Sequence, residues 1–391
     1  MIAIRKQVLL SGQDEIRGGF GFVVLTRVYV ILSQIISRED NMIRRVVQVV
    51  VVLIVLLTAG GSPGSSQTSS DLQNYLSQTL KLSQDRISAI RNGQPYATNL
   101  TSRTPAEIFV FGAIYINAYP ESYVKFASDF NRLRQVPGYL AINSISNPPQ
   151  LSEFQGFGFD SDDVQALQKC KPGNCAVQLP GSTIEQLRQS INWSASNVSD
   201  QVNQFVQKLA VSRLELYQKQ GSRAMGAVYN DKKQQVSVAD QFQYILSSAY
   251  TLPKYLPDFY NYLVNYPNSK PVNVETSFYW DSVKFGLKPT LRIVQVFTLK
   301  GNSPKEAAFA IAEKQLYSSH YFETALDLTF CISGMDNPNQ MGFYLVQVMG
   351  SEQAGLTGFE GSIIRRVAVS HSVADLQKSL ASIKSTLEQQ Q

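Results

Sequence analysis

Apolar positions at helical spacing (Leu72, Tyr75, Leu76, Thr79, Leu80, Ile87 and Ile90) predict one amphipathic helix over residues 71–92, stopped at Gly93. The pattern then changes to the β-branched and aromatic run EIFVFGAIYINA over Glu107–Ala118, which predicts a buried strand. Pro120 opens a helix, since its missing N–H costs nothing in a first turn. Strands are expected at Tyr139–Ile145 and Glu153–Phe159, followed by a turn region holding Cys170 and Cys175.

Residues 182–220 read as two helices, and 237–264 as helix interrupted by Pro253 and Pro257. The last third returns to strands at Val274–Lys284, Thr290–Leu299, Tyr321–Ile332, Gly342–Met349 and Ser362–Val369. Between the second and third of these, Ser303-Pro304-Lys305-Glu306 forms a capping box that predicts a helix to about Tyr317. A final helix, Ser372–Glu388, carries Val373, Leu376, Leu380, Ile383 and Leu387 on one stripe.

Together these elements predict an α+β domain: an antiparallel sheet formed by residues 105–181 and 271–391, a helical insert at 182–270, and a long C-terminal helix. With 391 residues, 44% of them apolar, the chain is long enough for one large core or two modest ones. Only 17% of residues are charged, and residues 1–61 carry seven basic and four acidic ones, so without them the formal charge falls from +5 to +2. The remainder has no basic stripe to neutralise a run of phosphates, which argues against nucleic-acid binding.

The N-terminal region carries an export pattern. Met42-Ile43-Arg44-Arg45 runs into Val46–Leu57, where Gln48 is the only polar residue, and small residues Thr58-Ala59-Gly60-Gly61 follow. A cationic start, a short apolar middle and a small-residue zone read as a signal peptide over 42–61, with 1–41 a non-native extension upstream of the working start. Permanent anchoring by residues 46–58 in the inner membrane is the alternative, although the apolar run is short for a span of about 20 residues. Ser62–Ser70 has a flexible linker's composition and joins the amphipathic helix within 62–104. A periplasmic or secreted location suits a disulfide between Cys170 and Cys175, whose Pro172-Gly173 turn can bring the two together; two separate thiols are the alternative.

The stretches EIFVFGAIYINAYPESYVKFASDF (107–130) and SIIRRVAVSHSVADLQKSLASIKSTLE (362–388) resemble the START-like, helix-grip proteins that bind lipids and polyketides. The resemblance covers about 50 residues. It implies a curved sheet around the last helix with an apolar ligand between them, lined by Phe109, Phe111, Tyr115, Phe278, Phe297, Tyr344 and Leu376. CKPGNCAVQLP (170–180) and KQLYSSHYFETAL (314–326) also resemble a secreted bacterial family of unknown function.

Eight aromatic residues, Phe242, Tyr244, Tyr250, Tyr255, Phe259, Tyr260, Tyr262 and Tyr266, crowd the end of the insert. They can pack on the sheet, line a ligand cavity through Tyr255 and Phe259, or meet an envelope partner. Two histidines, His320 and His371, are too few for most zinc sites, and no metal or other cofactor is expected. Neither Asp162 with Asp163 nor Glu323 with Asp327 makes a glycosidase-like pair within one element. The glycines at 350, 355, 358 and 361 precede a predicted strand, so a lid or hairpin tip is expected there instead of a phosphate cradle.

Three functions remain in order of preference. The first is non-catalytic binding of a hydrophobic small molecule or lipid in the cell envelope. The second is an interaction protein docking an envelope partner through the aromatic insert. The third is a hydrolase using His320 with a remote acid.

Overall fold

A computed structural model describes residues 72–229, 235–248, 256–284, 288–301, 308–333, 341–353 and 355–390. The expected signal at 42–61, the linker Ser62–Ser70, the capping box at Ser303–Glu306, Tyr250 and Tyr255 lie outside them.

The first helix is broken. A π-helical turn at Tyr75–Thr79 is separated from α1 (Gln84–Arg91) by Lys81, whose φ is 54°, and Ser83 caps α1 by accepting from the Arg86 amide. β1 (Tyr96–Asn99) pairs with β2 (Glu107–Ile116). The chain then crosses a sheet face through α2 (Pro120–Ala127) and α3 (Phe130–Leu133) to β3 (Tyr139–Ile145).

Glu153–Phe159, expected as a strand, is a 3-10 turn at Leu151–Phe154 followed by loop. Gln150 and Glu153 form its capping box, and Gly156 takes φ +88°, so local turn chemistry overrides the aromatic alternation. Next come α4 (Ser161–Lys169) and the Cys170–Cys175 disulfide, which closes the short turn.

The insert consists of α5 (Gly181–Ser190), α6 (Val198–Gln220), a short hairpin β4 (Ala227–Tyr229) and β5 (Gln235–Ser237), α7 (Val238–Ser248) and α8 (Pro257–Asn265). After α6 the chain turns at Gly221 (φ +64°). A Cβ there would lie 1.7 Å from the Tyr266 carbonyl oxygen, so only glycine fits.

A meander follows: β6 (Val274–Lys284), β7 (Pro289–Lys300), β8 (Phe309–Ser318), β9 (Phe322–Ser333) and β10 (Phe343–Gln353). The chain ends in α9 (Gly358–Gln389). The eight-stranded sheet has the order β1-β2-β10-β9-β8-β7-β6-β3 and is antiparallel throughout.

Two expectations in the last third are overturned. The helix expected to run to Tyr317 is strand β8, because β7 and β9 flank it and supply ladders on both edges, and tertiary pairing outweighs a local helix start. The strand expected at Ser362–Val369 lies inside α9. Both edges of β10 are already paired, with β2 and β9, so this β-branched stretch has no ladder to join and continues the amphipathic helix behind it.

The sheet separates two apolar layers. On one face, Phe109, Phe111, Phe278, Trp280 and Phe297 pack with the insert in one large cluster. On the other, Ile108, Val110, Ile114, Ile116 and Leu345 meet Leu376, Leu380, Ile383 and Leu387 of α9 and Tyr123 of α2. The second interface is filled: a Cβ on Gly112 would stand 2.8 Å from both Leu376 and Leu380, so the missing side chain lets the helix close onto β2.

Candidate functional site

The open volume lies on the insert side. A cavity of about 620 Å³ separates α5 and α6 from one end of the sheet. Leu179, Val206, Leu209, Leu214, Met225, Ile293 and Leu316 make its wall largely apolar. Two hydroxyls on that wall, Thr183 Oγ1 and Tyr317 Oη, are buried and have no hydrogen-bond partner among the described residues. An unsatisfied buried hydroxyl costs roughly 1–3 kcal/mol, a penalty that a ligand atom placed against it would relieve. Burial also raises the Tyr317 hydroxyl pKa above its ordinary value, keeping it a neutral donor.

Beside this cavity lies an isolated cation. Lys314 on β8 is fully buried, its Nζ donating to Ser222 Oγ (2.9 Å) and lying 3.8 Å over the Phe242 ring and 5.3 Å over the Tyr217 ring. No carboxylate pairs with it among the described residues. Burial lowers its pKa to about 7. Directly across the ladder on β7, Gln295 is equally buried; its Oε1 accepts from Tyr217 Oη while its Nε2 has no partner among the described residues. Tyr217 borders both this pair and the cavity.

His320 sits in the turn between β8 and β9, where sequence placed it after a helix. The structure brings a carboxylate to it: Nε2 lies 2.7 Å from Asp163 Oδ2, and Nδ1 lies 3.0 Å from the Ala176 carbonyl. Lys288 donates to the other Asp163 oxygen (2.8 Å). Burial alone would raise the Asp163 carboxyl, but the hydrogen bonds from His320 and Lys288 outweigh it and hold the group below its usual value. Both His320 ring nitrogens are therefore engaged by protein groups. The ring ties α4, the disulfide turn and the start of β9 together.

The residues proposed from sequence as ligand-lining are divided between the two faces. Phe109, Phe111, Phe278 and Phe297 are buried beneath the insert, with Tyr115 and Tyr344 in ring contact (5.1 Å) on the same side. Leu376 lies on the opposite face. Phe259 is buried in the insert, and none of these residues borders the cavity. Two of the insert's aromatics pack on the sheet: Tyr262 meets Phe297 edge to face, and Tyr266 does the same with Phe278 and Phe297. His371 lies exposed on α9.

The fold is therefore α+β, an antiparallel sheet between two helical layers with one poorly filled interface. Neither a protein-family model nor a curated protein matches the chain.

Proposed function

We propose that this protein is a non-catalytic binder of a hydrophobic small molecule, exported to the cell envelope, and that the ligand occupies the cavity between α5, α6 and the sheet. The observation that carries the reading is an apolar cavity of about 620 Å³ with two hydroxyls in its wall that have no partner among the described residues. That volume falls within the usual range for small-molecule pockets, roughly 300–1,000 Å³. Burial of apolar ligand surface, at about 25 cal/mol per Å², would supply the affinity, and the hydroxyls would orient the ligand.

The Cys170–Cys175 disulfide supports delivery to an oxidising compartment. Among the described residues no helix is long and apolar enough to cross a membrane. The engaged nitrogens of His320 weigh against its use as a general base.

The test is titration with an environment-sensitive apolar dye such as N-phenylnaphthylamine. The wild-type protein should show saturable binding at one site per chain. Leu209→Trp, which pushes a larger ring into the cavity from α6, should weaken it by about tenfold or more. Absence of saturable binding in the wild-type protein would defeat the proposal.

A further inference from the structure

We infer that the cavity takes an anionic amphiphile, a carboxylate with an apolar tail, whose head group is received by Lys314 and Gln295 beneath Tyr217. The inference rests on the binding reading above and names the ligand class for the same site.

The argument begins with hydrogen-bond accounting. Lys314 and Gln295 oppose one another across β8 and β7, on the face covered by the insert, and neither side chain is exposed to solvent. Together they present an ammonium and an amide N–H for which the described residues provide one acceptor, the Ser222 hydroxyl; Gln295 Nε2 has none among them. Buried donors are almost always satisfied, and a buried charge is almost always paired.

Two unsatisfied requirements side by side, one for negative charge and one for an acceptor, are both met by a single carboxylate. The ring of Tyr217 forms the partition: it borders the cavity, lies against the ammonium and donates its hydroxyl to Gln295 Oε1. Rotation of that ring would join the donor pair to the apolar space, giving one compartment with a charged floor and a greasy wall.

Among the described residues, the groups facing Lys314 leave the negative charge to be supplied from outside. They are Tyr217 from α6, Ser222 from the turn after it, Phe242 from α7, Gln295 from β7, and Leu326, its ladder partner on β9. None of them carries an ionised acid. Charged groups elsewhere on the cavity wall are Arg213, Glu185 and Glu323, of which Glu185 pairs with Arg188 at 3.6 Å. The ammonium is held near pH 7 by burial, so a bound carboxylate would raise its pKa and binding would take up a proton above that pH.

The test compares dodecanoate with dodecanol, which share a tail and differ in charge, by isothermal titration calorimetry on the full protein. Wild-type protein should bind the carboxylate at least about tenfold more tightly than the alcohol. Dodecanoate binding should weaken as pH rises above about 7, with proton uptake visible as a dependence of the heat on buffer ionisation. In Lys314→Met the preference ratio should collapse toward one.

Equal affinity of the wild-type protein for acid and alcohol overturns the carboxylate inference and leaves the binding reading standing. Binding of neither overturns both. A preference that persists in Lys314→Met shows the head group held elsewhere, at Arg213 for instance, and also overturns the assignment.

Discussion

Two buried cations on opposite faces of the sheet, Arg292 and Lys314, are met in opposite ways. Beneath α2 and α3, Asp281 and Arg292 oppose each other on β6 and β7 and form a two-pronged ion pair at 2.9 and 2.6 Å, with Asp281 wholly buried. Burial would lower the Arg292 pKa, and Asp281 more than restores it. On the insert side Lys314 has a hydroxyl and two aromatic rings but no carboxylate among the described residues.

The same contrast holds for packing. Gly112 lets α9 close tightly on one face, while a cavity of about 620 Å³ stays open on the other. Completed networks and filled interfaces serve stability. An incomplete one next to open volume is where a ligand would find unmet demand.

The largest expected effect comes from breaking the complete pair. Asp281→Ala leaves a buried guanidinium without its carboxylate and should cost about 3–5 kcal/mol, read from the urea unfolding midpoint. A loss below about 1 kcal/mol would mean that Arg292 relaxes to water and that the two cations do not differ as described.

The incomplete site should respond to pH. The Lys314 amine titrates near 7 in the folded protein and near 10.4 when unfolded, so between these values the unfolded chain holds a proton that the native state lacks. Stability should therefore rise with pH through that window, by at most about 1.4 kcal/mol per unit, with the full penalty present below pH 7 where both states are charged. Lys314→Met should remove this rise and stabilise the protein at neutral pH. A variant with the wild-type pH profile would contradict the assignment of that penalty to Lys314.

Much of the sheet was legible from β-branched and aromatic runs. Tyr139–Ile145 and Val274–Lys284 were read with their observed ends, because strong alternation is bounded there by turn residues. The site was legible only in part. Lys314 was hidden inside a segment read as helix. In a helix the AEKQ stretch is an ordinary solvated face, whereas in β8 the alternation Ala310, Ala312, Lys314 points inward.

His320 showed the opposite difficulty. A histidine is a candidate by residue type alone, but its partner Asp163 is distant in sequence and lies on α4, where the adjacent Asp162 hides which carboxylate turns inward. The aromatic crowd of the insert was plain in sequence. That Tyr262 and Tyr266 pack on Phe278 and Phe297 depends on the way α8 lies over β6 and β7.

The central claim, an apolar ligand held under the insert, is tested most directly by native mass spectrometry of protein purified gently from the cells that make it. The account predicts a species heavier than the disulfide-bonded chain by one small-molecule mass, lost on organic extraction and restored by incubation with dodecanoate. A single ligand-free species that takes up neither dodecanoate nor dodecanol would contradict it.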